Sequence, residues 1–393
     1  MKTKVGILFL GIGIIVVAGF IVKTPNDKQP ADQGQKVDTT DTPTTPQPTA
    51  PEPVSPPQPI VPITLSDREI IAENLKIPWD IAFLPDGSML VSERPGNLFL
   101  FAKDGTRTAI DVPDVHSVGE GGLLGIALHP NFKQNKMIYL YVTIDENGQF
   151  LNRIVRYKLE NNTLTNKEVI LTKIPGAQFH DGGRMDFGPD GMLYITTGDA
   201  KNEKSAQDTK SLAGKILRIR EDGSIPEDNP FGNEVYSYGH RNPQGLAWDS
   251  EGRLWSTEHG RTTATLTGMD EINLIEKGKN YGWPDIEGDK GAPNMVVPVL
   301  NSGADETWAP ASAAYLNGNI YFGGLRGETL YRAKILGNTV ELSRHLVKEY
   351  GRIRAVRVGP DDMLYISTSN QDGRGTVHEG DDKIIRINPS SFK

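Results

Sequence analysis

The sequence predicts an all-β fold, a six-bladed β-propeller, behind an N-terminal hydrophobic segment and a disordered linker. Three observations carry that expectation. Six stretches repeat one pattern, an apolar strand, a tight turn and a second alternating strand. They recur at intervals of roughly 40 to 65 residues between Asp80 and Thr368. Between them lie no heptads and no long amphipathic helical period. Strand-only repeats of that period stack radially, because one small sheet cannot bury its own faces.

In chain order, residues 1–23 come first. Residues 5–22 are an unbroken apolar run, flanked by Lys2, Lys4 and Lys23. At a rise of about 1.5 Å per residue the run just crosses a hydrocarbon core. A cleaved signal peptide is the alternative, but the run leads into Lys-Thr-Pro-Asn-Asp rather than a small-x-small cleavage site. The expectation is a membrane anchor that holds the domain extracytoplasmic, or a secreted domain if the segment is cleaved. Residues 24–61 are dominated by Pro, Thr, Gln and Asp. With almost nothing apolar to bury, they read as a disordered or polyproline II spacer.

Residues 62–393 suit one propeller. Its hairpins are DIAFLPDGSMLVSE (80–93), GIALHPNFKQNKMIYLYVT (125–143), RMDFGPDGMLYITTGD (184–199), GLAWDSEGRLWSTE (245–258), SAAYLNGNIYFGG (312–324) and AVRVGPDDMLYIST (355–368). Asp-Gly and Asn-Gly turns tolerate positive φ and so close hairpins. KIIRINP (383–389) reads as an outer strand, and the stretch 63–75 as an N-terminal strand that closes the last blade and covers its edge. Gln207–Ala213 is a short helical candidate between blades. A chain of 393 residues with no cysteine has no disulfides and no lipoprotein anchor. A net charge of −8 argues against a nucleic-acid partner, which needs a basic face.

Departures from the repeat locate the chemistry. FHDGGR (179–184) puts His180 on a loop before the third hairpin, as a general base or as a turn-capping histidine. Asp199 follows nineteen residues later, so one hairpin returns it to the same end of the blade, where a carboxylate can orient the imidazole. GHRNPQG (239–245) offers Arg241 and Asn242, a fork of donors and an amide suited to a polarised oxygen, or a salt bridge and a turn. In the long segment after the fourth hairpin, Gly260 and Arg261 can offer main-chain carbonyls and Glu271 a carboxylate. Such hard oxygen ligands suit Ca²⁺, and no His/Cys spacing suggests a transition metal. Arg326, Arg352 and Arg354 fall at blade ends, where they form a clamp for a polyanionic small molecule or a solvated basic strand.

These phrases, in this order, resemble the glucose/sorbosone dehydrogenase family. The resemblance spans residues 65–390 and rests on GEGGLLGIALHPNF (119–132), HDGGRMDFGPDGMLYITTGD (180–199), SLAGKILRI (211–219), YGHRNPQGLAW (238–248), DEINLIEKGKNYGWP (270–284) and GRIRAVRVGPDDMLY (351–365). It implies a soluble aldose sugar dehydrogenase that uses pyrroloquinoline quinone (PQQ) and Ca²⁺. In that reading His180 is the base, Asp199 its orienting group and Arg241 the stabiliser of developing charge, with Asn242 beside it. His259, Arg326, Arg352 and Arg354 would bind the cofactor and Glu120 the sugar. One Ca²⁺ would take the carbonyls of Gly260 and Arg261, and a second, structural Ca²⁺ would fall on Glu271 and Tyr281. The chain departs from the family pattern where Glu120 and His259 replace glutamine, Arg261 replaces proline and Arg326 replaces lysine. Short loops imply a compact monomer that passes electrons to an external quinone or small redox protein. A non-catalytic binding module of the same fold and a Ca²⁺-dependent lactonase are the competing expectations.

Overall fold

The computed structural model describes residues 66–261 and 268–392. The apolar run at 5–22 and the spacer at 24–61 lie outside the described residues. Within them, six antiparallel four-stranded sheets form the six blades. Each predicted hairpin supplies the two inner strands of one blade.

Blade 1 comprises Pro78–Phe83, Met89–Glu93, Leu98–Phe101 and Arg107–Ile110. Blade 2 comprises Leu123–Leu128, Met137–Glu146, Gln149–Glu160 and Thr163–Pro175. Blade 3 comprises Met185–Phe187, Leu193–Thr197, Lys215–Ile219 and Val235–Tyr238. Blade 4 comprises Pro243–Trp248, Leu254–Glu258, Glu271–Ile275 and Leu300–Asn301. Blade 5 comprises Pro310–Leu316, Asn319–Gly324, Thr329–Leu336 and Thr339–His345. Blade 6 comprises Ile353–Val358, Leu364–Thr368, Ile384–Ile387 and the N-terminal Arg68–Ala72.

The ends of the domain therefore meet in blade 6, as expected. The strand at 384–387 is third from the axis, and Arg68–Ala72 pairs outside it. The all-buried isoleucines of 384–387 fit this order, since an outermost strand keeps one face in solvent. The helical expectation at Gln207–Ala213 fails. A 3₁₀ turn spans Glu203–Gln207 instead, and the Lys215 ammonium gathers the carbonyls of Ser205, Ala206 and Ala213 at 2.6–3.0 Å.

Apolar clusters fill the wedges between adjacent blades, such as Trp255, Trp308, Phe322 and Tyr331 between blades 4 and 5. The channel on the axis is closed by charge. Asp80 pairs with Arg184 at 2.5 Å and with Arg357 at 2.9 Å, and Arg357 also reaches Asp186 at 2.9 Å. This ladder joins the inner strands of blades 1 and 6 to blade 3. In five of the six blades the innermost strand bulges near its start. A bulge re-aims side chains, and Gln244 and Arg354 sit within two of these bulges.

Candidate active site

Loops at the start of the innermost strands enclose a cavity of about 530 Å³. His180, Arg241, Asn242, His259, Arg326, Arg352, Arg354 and Glu120 all line it. Asp199 stands behind His180, with no exposure of its own.

Local backbone geometry creates the His180–Asp199 pair. Gly198 passes so close to the His180 loop that a Cβ there would lie 1.9 Å from the His180 carbonyl oxygen. Glycine is therefore required just before Asp199, whose amide donates to the Arg241 carbonyl at 2.8 Å. His180 Nδ1 meets Asp199 Oδ1 at 2.7 Å. The same oxygen accepts from the Lys201 amide at 2.8 Å, and Oδ2 accepts from the Trp283 indole at 2.9 Å. Burial alone would raise the Asp199 carboxyl, but His180, the Lys201 amide and the indole hold it below the usual carboxylate range. A charged Asp199 fixes the proton on Nδ1 and leaves Nε2 as the basic nitrogen.

Arg241 projects from the next blade. Its side chain makes no hydrogen bond among the described residues and lies 5.4 Å over the Trp283 ring. Burial works against its charge, with Asp199 and Glu120 opposing that effect. Asn242 Oδ1 accepts from the Gly182 amide at 3.0 Å, which ties blade 4 to the His180 loop. His259 lines the same wall, where burial depresses its pKa and its Nε2 has no partner.

Across the cavity, Arg352 and Arg354 point to one face, as their i, i+2 spacing predicts. Both converge on Asp372, at 2.7 and 3.7 Å. Burial and the charges of Arg94 and Arg352 disfavour the Arg354 cation. Arg94 Nε is buried without a partner. Lys201, Arg326 and Arg374 add further cations to the lining. Crowding of positive charge around the buried Arg352 and Arg354 is relieved by a bound polyanion.

The expected metal ligands gather in a smaller adjoining cavity. Gly260, Arg261, Glu271 and Tyr281 line it together with Glu258 and Glu287. The Gly260 amide donates to Asp270 Oδ1 at 2.9 Å, and Asp270 Oδ2 also accepts from Thr307, Trp308 and Ala309. The Arg261 side chain turns away to Glu287. Glu271 is pushed up by burial and by the Glu258 charge, with one bond from Asn273 at 3.0 Å. Among the described residues no cluster of three or more His, Asp or Glu side chains forms a ready metal site. A cation here would depend on backbone oxygens around the Glu258 and Glu271 carboxyls, which suits Ca²⁺.

Several residues of the site escaped the sequence reading, namely Trp283, Asp270, Asp372, Arg374, Lys201 and Gln244. Asp372 and Arg374 carried a usable signal. They follow the sixth hairpin as Asp199 follows the third and His259 the fourth, so position in the repeat places them at the same mouth.

Residues 75–377 match the glucose/sorbosone dehydrogenase family. The chain is 32% identical over 340 residues to an Escherichia coli aldose sugar dehydrogenase, covering 78% of this chain and 90% of that protein. It is 34% identical over 277 residues to quinoprotein glucose dehydrogenase B of Acinetobacter calcoaceticus, covering 61% and 57%. The PQQ-bound aldose sugar dehydrogenase of Streptomyces coelicolor superposes with a TM-score of 0.76 at 41% identity, covering 81% of this chain and 96% of that one.

Proposed function

The chain belongs to the glucose/sorbosone dehydrogenase family, and we propose on that premise that it oxidises aldose sugars at the anomeric carbon to lactones, with PQQ and Ca²⁺ as cofactors. One observation carries the reading: a His-Asp pair opens onto a cavity whose other walls carry six cationic side chains, Lys201, Arg241, Arg326, Arg352, Arg354 and Arg374. An aldose needs a base for its hydroxyl proton, and a tricarboxylate cofactor needs cations.

Bound PQQ would supply the hydride acceptor. The chain's own residues do the rest. His180 Nε2 takes the proton of the anomeric hydroxyl as the C1–H electron pair departs and the C1–O double bond forms. Asp199 keeps Nδ1 protonated and stabilises the imidazolium. Arg241 places a cation where negative charge develops, and losing one such donor typically costs roughly 10²–10³ in rate. Asn242 and His259 line the same wall. Arg326, Arg352 and Arg354 would hold cofactor carboxylates, with Asp372 keeping the last two aligned. Glu120 faces the sugar end of the cavity. Gly260 and Arg261 would offer carbonyls to a Ca²⁺ that acts as a Lewis acid, and Glu271 with Tyr281 would hold a structural Ca²⁺. That Glu271 and Tyr281 line one small cavity with Gly260 and Arg261 supports that assignment.

Reconstitution tests the reading. Protein stripped of metal is given PQQ, Ca²⁺, an aldose and a dye acceptor. Dye reduction that requires both additions supports it, and absence of PQQ binding refutes it. We further propose a monomer tethered outside the cytoplasmic membrane by residues 1–23, delivering electrons to a quinone or small redox protein. Recovery of the full-length chain in the soluble cytosolic fraction would overturn the tether.

A further inference from the structure

His180 lies on a loop whose backbone turns left-handed at His180 itself, with φ at +67°. A non-glycine residue there is strained and persists only where its surroundings determine it. Two reciprocal bonds supply that determination. The Glu120 amide donates to the Gln178 carbonyl at 2.9 Å, and the His180 amide donates to Glu120 Oε2 at 3.0 Å. Gly119 permits the approach, since a Cβ there would lie 2.0 Å from the Gln178 oxygen.

The second oxygen of Glu120 is also engaged. Oε1 accepts from Arg374 at 3.0 Å, across 254 residues of sequence. The Arg374 guanidinium lies 5.4 Å over the ring of Phe179, the neighbour of His180. One ion pair therefore grips the loop twice, at the His180 amide and at the Phe179 ring. Burial would raise the Glu120 carboxyl, but the His180 amide, His259 and Arg374 bring it down to about 2. Asp181, on the other side of His180 and without a cation, is pushed up by burial to about 7. Of the two carboxyls beside the His180 backbone, only Glu120 is built to stay charged.

We propose that the Glu120–Arg374 pair is the positioning device of the proposed base, holding the His180 backbone left-handed so that its imidazole meets Asp199 on one side and the cavity on the other. The inference rests on reading His180 as the base. It makes Glu120 a positioning residue first, because each carboxylate oxygen already holds a protein donor, the His180 amide on one and Arg374 on the other. Arg374 acts through Glu120.

The test compares Glu120→Ala, Glu120→Gln, Arg374→Ala and the Glu120→Ala/Arg374→Ala double variant. A misplacement on the ångström scale costs roughly 10²-fold in rate. Glu120→Ala is therefore expected to lower kcat by about that factor while KM for the sugar and Kd for PQQ stay within about twofold. Glu120→Gln keeps one carbonyl for the His180 amide and should recover most of the loss. The double variant should be no slower than Glu120→Ala alone, because residues acting as one unit are not additive. A second readout needs no cofactor. The low-field proton of the His180–Asp199 hydrogen bond, assigned by its loss in His180→Gln, should disappear in Glu120→Ala and return in Glu120→Gln. A raised KM with kcat and that resonance intact would overturn the proposal and return Glu120 to the substrate. Additive losses in the double variant would overturn the unit. If the wild type shows no PQQ-dependent turnover, the functional reading fails, while the resonance still decides whether Glu120 positions His180.

Discussion

Asp199→Asn is the sharpest perturbation of the proposed base. Asp199 accepts three hydrogen bonds, from His180 Nδ1, the Lys201 amide and the Trp283 indole. An asparagine has one acceptor oxygen, so its NH₂ must face either the indole N–H or the imidazole. Facing the indole sets donor against donor in a site with no solvent. Facing the imidazole forces the proton onto Nε2 and removes the basic nitrogen. The charged bond alone is worth about 1.5–3 kcal/mol, which is roughly a 10- to 150-fold loss of kcat at 1.36 kcal/mol per decade. The tautomer change adds to that loss. KM and PQQ affinity should hold within about twofold, because Asp199 is wholly buried and does not line the cavity. Rapid-mixing measurement of the cofactor's absorbance at saturating sugar isolates the step. A variant that keeps kcat within twofold of wild type, or loses only PQQ affinity, would refute Asp199 as the group that orients His180.

Four further outcomes are expected. Arg326→Ala, at an exposed cation with no ion-pair partner among the described residues, should weaken PQQ binding roughly fivefold, the scale of a screened charge contact, as read by cofactor titration. Arg352→Ala is a poorer probe, because it strips Asp372 of its bidentate partner. Asp270→Ala removes the acceptor shared by Gly260, Thr307, Trp308 and Ala309. Stranding these donors should cost roughly 3–5 kcal/mol in urea unfolding. Burial pushes the Asp181 carboxyl from the ordinary carboxylate range up to about 7, so between those pH values the folded state holds a proton that the unfolded chain has released. Its contribution to stability is full at low pH and lost as pH rises towards 7. Asp181→Asn keeps the acceptor for Asn152 and Ala177, and should gain melting temperature over wild type between pH 4 and pH 8. Finally, chelation with EGTA should lower the melting temperature and Ca²⁺ restore it. An unchanged melting curve would remove the structural Ca²⁺ at Glu271.

What the sequence determined by itself was local or periodic. The Asp-Gly and Asn-Gly turns close hairpins within a few residues, so their repetition announced the blades before any contact was known. His180 and Asp199 were legible together because one hairpin separates them and must return the chain to the same mouth. Arg352 and Arg354 share a face through the two-residue period of a strand. What only the tertiary structure decided depends on ring closure, which brings together residues that no local period connects. The Glu120–Arg374 pair joins a loop before blade 2 to one in blade 6. Trp283 reaches Asp199 across 84 residues, and Asp270 ties the Gly260 loop to blade 5. The order of strands in blade 6 was settled in the same way, by whether 384–387 or 68–72 buries both faces. Local turns specify the units of this protein, while the hydrogen-bond partners that hold its His180 loop in place come from the closed circle of six blades.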